Sequence, residues 1–222
     1  MKYRLAIFDF DGTLASSLDG ISACMTDALM AYGYAAPSLD EVRATVGLTL
    51  EDSVQILTKD RVSEAQLPAV VKLYRELHDT KAASSIRLFD GVVELLEELP
   101  SHGIKSALVS NKGRKGLDHL LEQLRIWAFF DLVLIAEDVR FNKPKPELYS
   151  KHIAPHFAEI TKSDTIVIGD AEVDLRFAKA AGLACCWARY GYGDEAKCRA
   201  LHPDYEIGKI GELRDILRGG RE

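Results

Sequence analysis

Four short stretches of this chain hold the residues most able to do chemistry. They are Asp9 and Asp11 with Gly12 and Thr13; Ser110 with Asn111 and Lys112; Lys143-Pro144-Lys145-Pro146; and Gly169 with Asp170 and Asp174. Two carboxylates two residues apart resist joint ionisation unless a cation sits near them. A hard divalent ion such as Mg²⁺ suits a site of a few carboxylates, waters and phosphate oxygens. An ionised aspartate can attack phosphorus. A second carboxyl can protonate the leaving oxygen and then take a proton from water. Ser110 could donate to a phosphate oxygen, and Lys143, stiffened by its flanking prolines, could neutralise charge on the nucleophile and the transferring group.

Each stretch also has a plainer reading. Asp-Gly after a strand favours a turn for backbone reasons. Asp170 could simply cap the following helix, Lys143 could be a surface lysine, and Ser110 could satisfy backbone at a strand end. The placement of the four together argues for chemistry. Each follows a short apolar run that reads as a strand, and in an open parallel sheet ligands bind outside the carboxyl ends of the strands.

The elements that must position these groups come next. Runs at 5–10, 105–110, 132–136, 165–169 and 184–188 are nearly continuous in Ile, Val, Leu, Phe and Ala, as buried parallel strands are. Helical patterns lie between them. Leu117, Leu120, Leu121 and Leu124 share one face, Asp90 is a candidate N-cap for a helix over 92–99, and Gly103 and Gly182 sit where helices end. Strand and helix in alternation predict an α/β fold, a doubly wound Rossmann-like parallel sheet.

One stretch breaks the rhythm. Leu18, Ile21, Met25, Ala28, Leu29 and Tyr32 form one helical stripe, and Leu67, Val70, Val71, Tyr74 and Leu77 another. Ser38 and Glu41 make a capping box for a short helix through Val46. The expected organisation is therefore a core of 1–15 and 86–222 with a small helical domain, 16–85, inserted after the first strand. The tail from Gly219 to Glu222 is expected to fray.

Bulk properties narrow the function. At 222 residues, 47% hydrophobic and 28% charged, the chain has the balance of a soluble globular protein with a sizeable core. A net charge of −6 without a basic block argues against a nucleic-acid partner. The chain has neither the pattern of a leader peptide nor an apolar stretch long enough for a bilayer, so a membrane is not expected and a reducing cytoplasm is. Cys24, Cys185, Cys186 and Cys198 lack metal-binding spacing and are read as buried free thiols. Monomer and homodimer are both open.

The motifs Phe8-Asp9-Phe10-Asp11-Gly12-Thr13-Leu14, Val109-Ser110-Asn111, Lys143-Pro144-Lys145-Pro146 and Gly169-Asp170-Ala171-Glu172-Val173-Asp174 resemble the four ordered motifs of the haloacid dehalogenase superfamily. The helical insert resembles its small C1-type cap. Phe89-Asp90-Gly91, and Arg189-Tyr190-Gly191-Tyr192-Gly193, look closest to the phosphoglycolate phosphatase-like branch. The resemblance implies Asp9 as nucleophile and Mg²⁺ ligand, and Asp11 as acid/base that also gives its backbone carbonyl to the metal. It implies Ser110 and Asn111 as holders of the phosphoryl group, with Thr13 beside them. Lys143 would balance charge, Asp170 would be the third protein ligand, and Asp174 would orient Lys143 or a metal-bound water. The chain departs from many relatives in having Ser16-Ser17 where they have Asp-Ser, and Ser110 where Thr is common.

The implied function is Mg²⁺-dependent hydrolysis of a small phosphorylated metabolite. Alternatives are a phosphomutase acting on a sugar phosphate and a non-catalytic phosphate binder. A dehalogenase would lack a carboxylate at position 11. A phosphonatase would need a cap lysine, and nothing marks out Lys59, Lys72 or Lys81. For substrate choice, Arg43 or Thr49 is expected to reach the leaving group from the cap, with Tyr74 left in the core stripe.

Overall fold

The computed structural model describes residues 1–81 and 85–219. Six parallel strands form one sheet: β1 (Leu5–Phe8), β4 (Lys105–Ser110), β5 (Leu132–Ile135), β6 (Thr165–Gly169), β7 (Ala184–Ala188) and β8 (Tyr205–Ile207), in the order β5-β4-β1-β6-β7-β8. β1 lies between β4 and β6, with Phe8 level with Leu108 on one side and Ile168 on the other. Successive side chains of a strand face opposite ways, and β1 divides accordingly. Ala6 and Phe8 join one buried cluster, Leu5 and Ile7 the other. Burial on both faces explains the unbroken apolar runs of the sequence.

The crossovers include α5 (Val92–Ser101), α6 (Arg114–Gln123) and α7 (Glu172–Ala181). Glycine in the left-handed region ends α7 at Gly182, as expected. The expected cap of α5 is corrected. Its N-cap is Gly91, with φ of 88°, while Asp90 is exposed and makes no cap. The turn there needs positive φ, which glycine adopts without steric cost.

Two two-residue strands, β2 (Ala15–Ser16) and β3 (Arg87–Leu88), pair antiparallel where the chain leaves the sheet and where it returns. Between them lie α1 (Leu18–Ala31), α2 (Leu39–Arg43), α3 (Leu50–Leu57) and α4 (Leu67–Lys81). The stripes Ile21, Met25, Ala28 and Leu29 of α1 and Val70, Val71 and Tyr74 of α4 are buried in the same cluster as Phe8 and Phe10. Tyr32 falls outside the stripe and is partly exposed, because α1 has ended at Ala31. The capping box of Ser38 and Glu41 forms, but its helix stops at Arg43 rather than Val46. Of the tail, 220–222 lie outside the described residues.

Candidate active site

The chain turns sharply as it leaves β1. The carbonyl of Phe10 accepts from the amides of Leu14 and Ala15, both at 2.9 Å, so Asp9 and Asp11 sit on a tight loop rather than on one face of a strand. Gly12 makes the loop possible. Its φ is +83°, and a Cβ there would lie 2.3 Å from Asp170 Oδ2. That approach lets Thr13 Oγ1 donate to Asp170 Oδ1 at 3.0 Å.

Asp170 is held from every side. Its Oδ2 accepts the Tyr192 amide at 2.7 Å, and its backbone carbonyl accepts Trp187 Nε1 at 2.9 Å. Gly191 allows this, since a Cβ there would sit 2.2 Å from Asp170 Cβ. Asp170 is not the N-cap of α7; that position is Ala171, whose amide donates to Asp174 Oδ2 at 3.2 Å. Asp174 in turn accepts Lys143 Nζ at 2.6 Å through Oδ1, and the same ammonium lies 2.5 Å from Asp9 Oδ1. Lys143 is therefore a buried lysine between two carboxylates, not a surface one.

Asp9, Asp170 and Asp174 are all buried and present oxygens within 4.8 Å of one another. Three carboxylates facing one ammonium leave an excess of negative charge in a place with little water. Burial pushes Asp9 well above the ordinary carboxylate range, against the pull of Lys143 and with the added repulsion of Asp174 and Asp170. Burial, then Asp174, pushes Asp170 up to about 7 despite the Tyr192 amide and the Thr13 hydroxyl. Lys143 responds in the opposite sense: burial works against its charge, but Asp174 and Asp9 outweigh it and hold it protonated. An all-oxygen donor set with uncompensated charge fits a hard divalent cation. Asp11 stands apart from this trio.

Asp11 faces Lys112 instead, whose Nζ lies 3.0 Å and 3.2 Å from its two oxygens. Burial pushes the Asp11 carboxyl up, but the Lys112 ammonium outweighs it and holds it below the usual range. Ser110 Oγ accepts the Lys112 amide at 3.2 Å, and Asn111 Nδ2 donates to the carbonyl of Gly47 at 2.8 Å, joining β4 to the helical insert.

Above these groups opens a cleft of about 660 Å³ between the strand ends and the helical insert. Its floor includes Asp9, Asp11, Ser110 and Asn111; its roof includes Thr45, Gly47, Tyr74 and His78. Arg43 does not line this cleft. Val42 is the buried residue of α2, and its neighbour Arg43 faces solvent, outside the cleft. Thr49 is also outside the lining; its hydroxyl is engaged with Asp52 at the start of α3. Lys72 stands at the exposed rim beside Glu76, and Lys81 pairs with Asp27. Arg75 and His78 are what the sequence did not single out, and Lys112, named with Ser110 and Asn111, carried no assigned role. A signal existed for His78, which lies four residues beyond Tyr74 on the buried stripe; for Lys112 nothing in the sequence shows that Asp11 is within reach.

A model of the haloacid dehalogenase-like hydrolase family matches residues 6–188. The chain belongs to that family. It is an enzyme, a hydrolase of the phosphatase type. A phosphoglycolate phosphatase of Vibrio parahaemolyticus is 31% identical, over 96% of each chain. A pyrophosphatase of Bacillus mycoides is 27% identical, over 98% of each. A haloacid dehalogenase-like hydrolase from Bacteroides fragilis superposes with a TM-score of 0.87 at 31% identity, covering 96% of this chain and all of that one. No helix among the described residues is long and apolar enough to cross a membrane.

Proposed function

We propose that this phosphatase hydrolyses a small phosphate monoester of the 2-phosphoglycolate kind, with Mg²⁺, through an aspartyl-phosphate on Asp9. The observation that carries the reading is the pairing of Asp9 with a buried ammonium, Lys143 Nζ at 2.5 Å, beside two further buried carboxylates at the floor of a cleft. Phosphoryl transfer asks a protein for positioning and charge neutralisation above all, and this arrangement supplies both.

In the first step Asp9 attacks phosphorus and the ester P–O bond breaks, while Asp11, ionised beside Lys112 in the free enzyme and protonated from solvent as the substrate binds, gives that proton to the leaving oxygen. In the second, Asp11 takes a proton from water, water oxygen bonds to phosphorus, and the acyl-phosphate P–O bond breaks to restore Asp9. Ser110 and Asn111 hold the phosphoryl oxygens, Lys143 opposes the effect of burial and favours the ionised form of Asp9, and Thr13 and Asp174 fix Asp170 and Lys143. Asp9, Asp170 and the backbone carbonyl of Asp11 would hold Mg²⁺, which supplies positive charge to the phosphoryl oxygens. The helical insert, 16–85, acts as a cap that excludes water. Four unpaired cysteines support a reducing, cytoplasmic setting.

The phosphoglycolate phosphatase relative supports 2-phosphoglycolate as the first substrate to try, and the pyrophosphatase relative supports pyrophosphate as the second. The test is phosphate release from these two, a sugar phosphate and a nucleoside monophosphate, with Mg²⁺ or EDTA. Metal-dependent release supports the reading. An isomerised sugar phosphate would favour a mutase, and silence on every ester a phosphate binder.

A further inference from the structure

The helical insert is already seated on the core. Asn111 Nδ2 donates to the Gly47 carbonyl at 2.8 Å, and Arg75 and Asp79 of α4 meet Glu137 and Lys115 of the core at 3.0 Å and 2.9 Å. Gly47 lies so near the start of α7 that a Cβ there would come 3.1 Å from Val173. The cleft of about 660 Å³ is therefore a chamber beneath a docked insert. Pockets of that size hold drug-sized ligands, and a two-carbon ester fills a small part of it. The walls differ in character. Carboxylates, Ser110, Asn111 and Lys112 make the floor, whereas Val46, Leu48, Leu50 and Leu67 line the insert side, each of them partly exposed. The hydroxyls beside them are already used: Thr45 Oγ1 donates to the Val42 carbonyl at 2.8 Å and Ser53 Oγ to that of Thr49 at 2.9 Å. Tyr74 and His78 are buried deeper, near the Asp11 charge. The charges at the mouth are paired with one another, Arg75 with Glu51 as well as Glu137, and Lys72 with Glu76.

We propose that this chamber takes, as a further substrate class, phosphate monoesters whose leaving portion carries an apolar body the size of a phenyl ring or a branched alkyl chain, seated against Leu48. The inference rests on the phosphatase reading and adds a class of ester to the one named there. Leu48 is the side chain that points most clearly to an occupant. A turn fixes it, its amide donating to the Thr45 carbonyl at 3.1 Å, yet it is packed into neither buried cluster of the described residues. Substrate carbon laid on Leu48 and its apolar neighbours removes both surfaces from water, and the gain grows with the area covered. With the phosphoryl group held at Asp9, the leaving portion is the part that extends toward that wall. The reaction is unchanged: water oxygen ends on phosphorus, the ester P–O bond breaks, and the apolar alcohol leaves with a proton.

The test uses the unsubstituted enzyme with Mg²⁺ and two phosphonates, 2-phenylethylphosphonate and propylphosphonate. They are the analogues of benzyl phosphate and ethyl phosphate in which CH₂ replaces the ester oxygen, so turnover does not intervene. Titration calorimetry should show the phenyl ligand bound about ten-fold or more tightly, with a more negative heat-capacity change. Leu48→Asn should reduce that preference by about three-fold or more, the loss of a few buried methylenes. Leu48→Met, which keeps the carbon surface, should retain it. Turnover should follow binding, with kcat/KM higher for benzyl phosphate than for ethyl phosphate. Equal binding of the two phosphonates, a preference without the heat-capacity difference, or a preference undiminished in Leu48→Asn would overturn the inference. Failure of the phosphatase reading shows separately, as absence of turnover of every ester by an enzyme that still discriminates between the phosphonates.

Discussion

Lys112 holds Asp11 through both carboxylate oxygens, at 3.0 Å and 3.2 Å, with the two side chains only 10% and 12% exposed. The proposed acid/base is thus paired within the core, across the cleft floor from the trio that includes Asp9. Removing one partner of an ion pair with so little access to water costs far more than removing one at the surface, because the other charge is left buried and unpaired. Lys112→Ala is expected to lower kcat/KM by about ten- to hundred-fold, the worth of a charged hydrogen bond in such a place. Lys115→Ala, on the same loop-helix segment but 87% exposed in its pair with Asp79, should leave steady-state kinetics unchanged. Similar losses in both variants would remove the special place given to Lys112.

Lys143 gives a second contrast, between stability and charge. Lys143→Met leaves Asp9 and Asp174 buried with no cation, and breaking a buried pair from one side costs about 3–5 kcal/mol. Urea unfolding should show a loss of that order without added metal, partly restored by millimolar Mg²⁺. A variant as stable as the parent in EDTA would show that the carboxylates do not need the ammonium.

Glycine substitutions separate backbone strain from crowding. At Gly12, φ of +83° combines with a Cβ position 2.3 Å from Asp170 Oδ2; at Gly33, φ of +81° comes with nothing within 4 Å. Gly33→Ala should therefore cost only the conformational penalty, about 1 kcal/mol. Gly12→Ala should cost more than this in thermal unfolding and should abolish activity by displacing Asp170. Equal effects on stability would mean that the loop yields easily.

His78 also makes an acid-stability prediction. Its folded value of about 3 lies below its ordinary 6.5. Between those two values the unfolded chain binds a proton that the folded chain does not. The contribution of the neutral ring is whole above pH 6.5 and is lost as pH falls toward 3. Denaturant unfolding at pH 7 and pH 5 should show a smaller acid loss for His78→Gln than for the parent; an identical loss would mean that the ring charges freely in the folded state.

Parts of this molecule can be read in its sequence, and the unread parts have physical reasons. Runs at 105–110, 165–169 and 184–188 match β4, β6 and β7 residue for residue because both faces of those strands are buried. β8 escapes notice: it has only Tyr205, Glu206 and Ile207, lies at the sheet edge and exposes its middle residue. β2 and β3 are two residues each, too short for any periodicity. At the site, carboxylates and lysine at strand ends are visible because the fold gathers strand ends. The exposed position of Arg43 is not legible, because charge alone does not say which side of a helix a residue occupies and a helix as short as α2 gives one buried residue to orient it. The Lys112–Asp11 pair joins positions 101 residues apart, beyond any local pattern.

The cysteines are legible from both directions. Cys24, Cys185, Cys186 and Cys198 are buried and unpaired. Burial pushes the Cys185 thiol up to about 11 and the Cys198 thiol up to about 12, and raises Cys24 and Cys186 as well. A thiol reacts as its thiolate, so a chromogenic disulfide reagent at pH 8 should label none of them within minutes and all four after denaturation. Rapid labelling of the folded protein would show that the core around β7 opens.

The central claim is that Asp9 carries the phosphoryl group. The direct measurement is rapid acid quench during turnover of 2-phosphoglycolate, followed by borohydride reduction and peptide mass spectrometry. An acyl-phosphate at residue 9 is reduced to homoserine, so the account predicts homoserine at that position, dependent on substrate and Mg²⁺ and missing from Asp9→Asn. Steady phosphate release with residue 9 unmodified, or undiminished in Asp9→Asn, would contradict it.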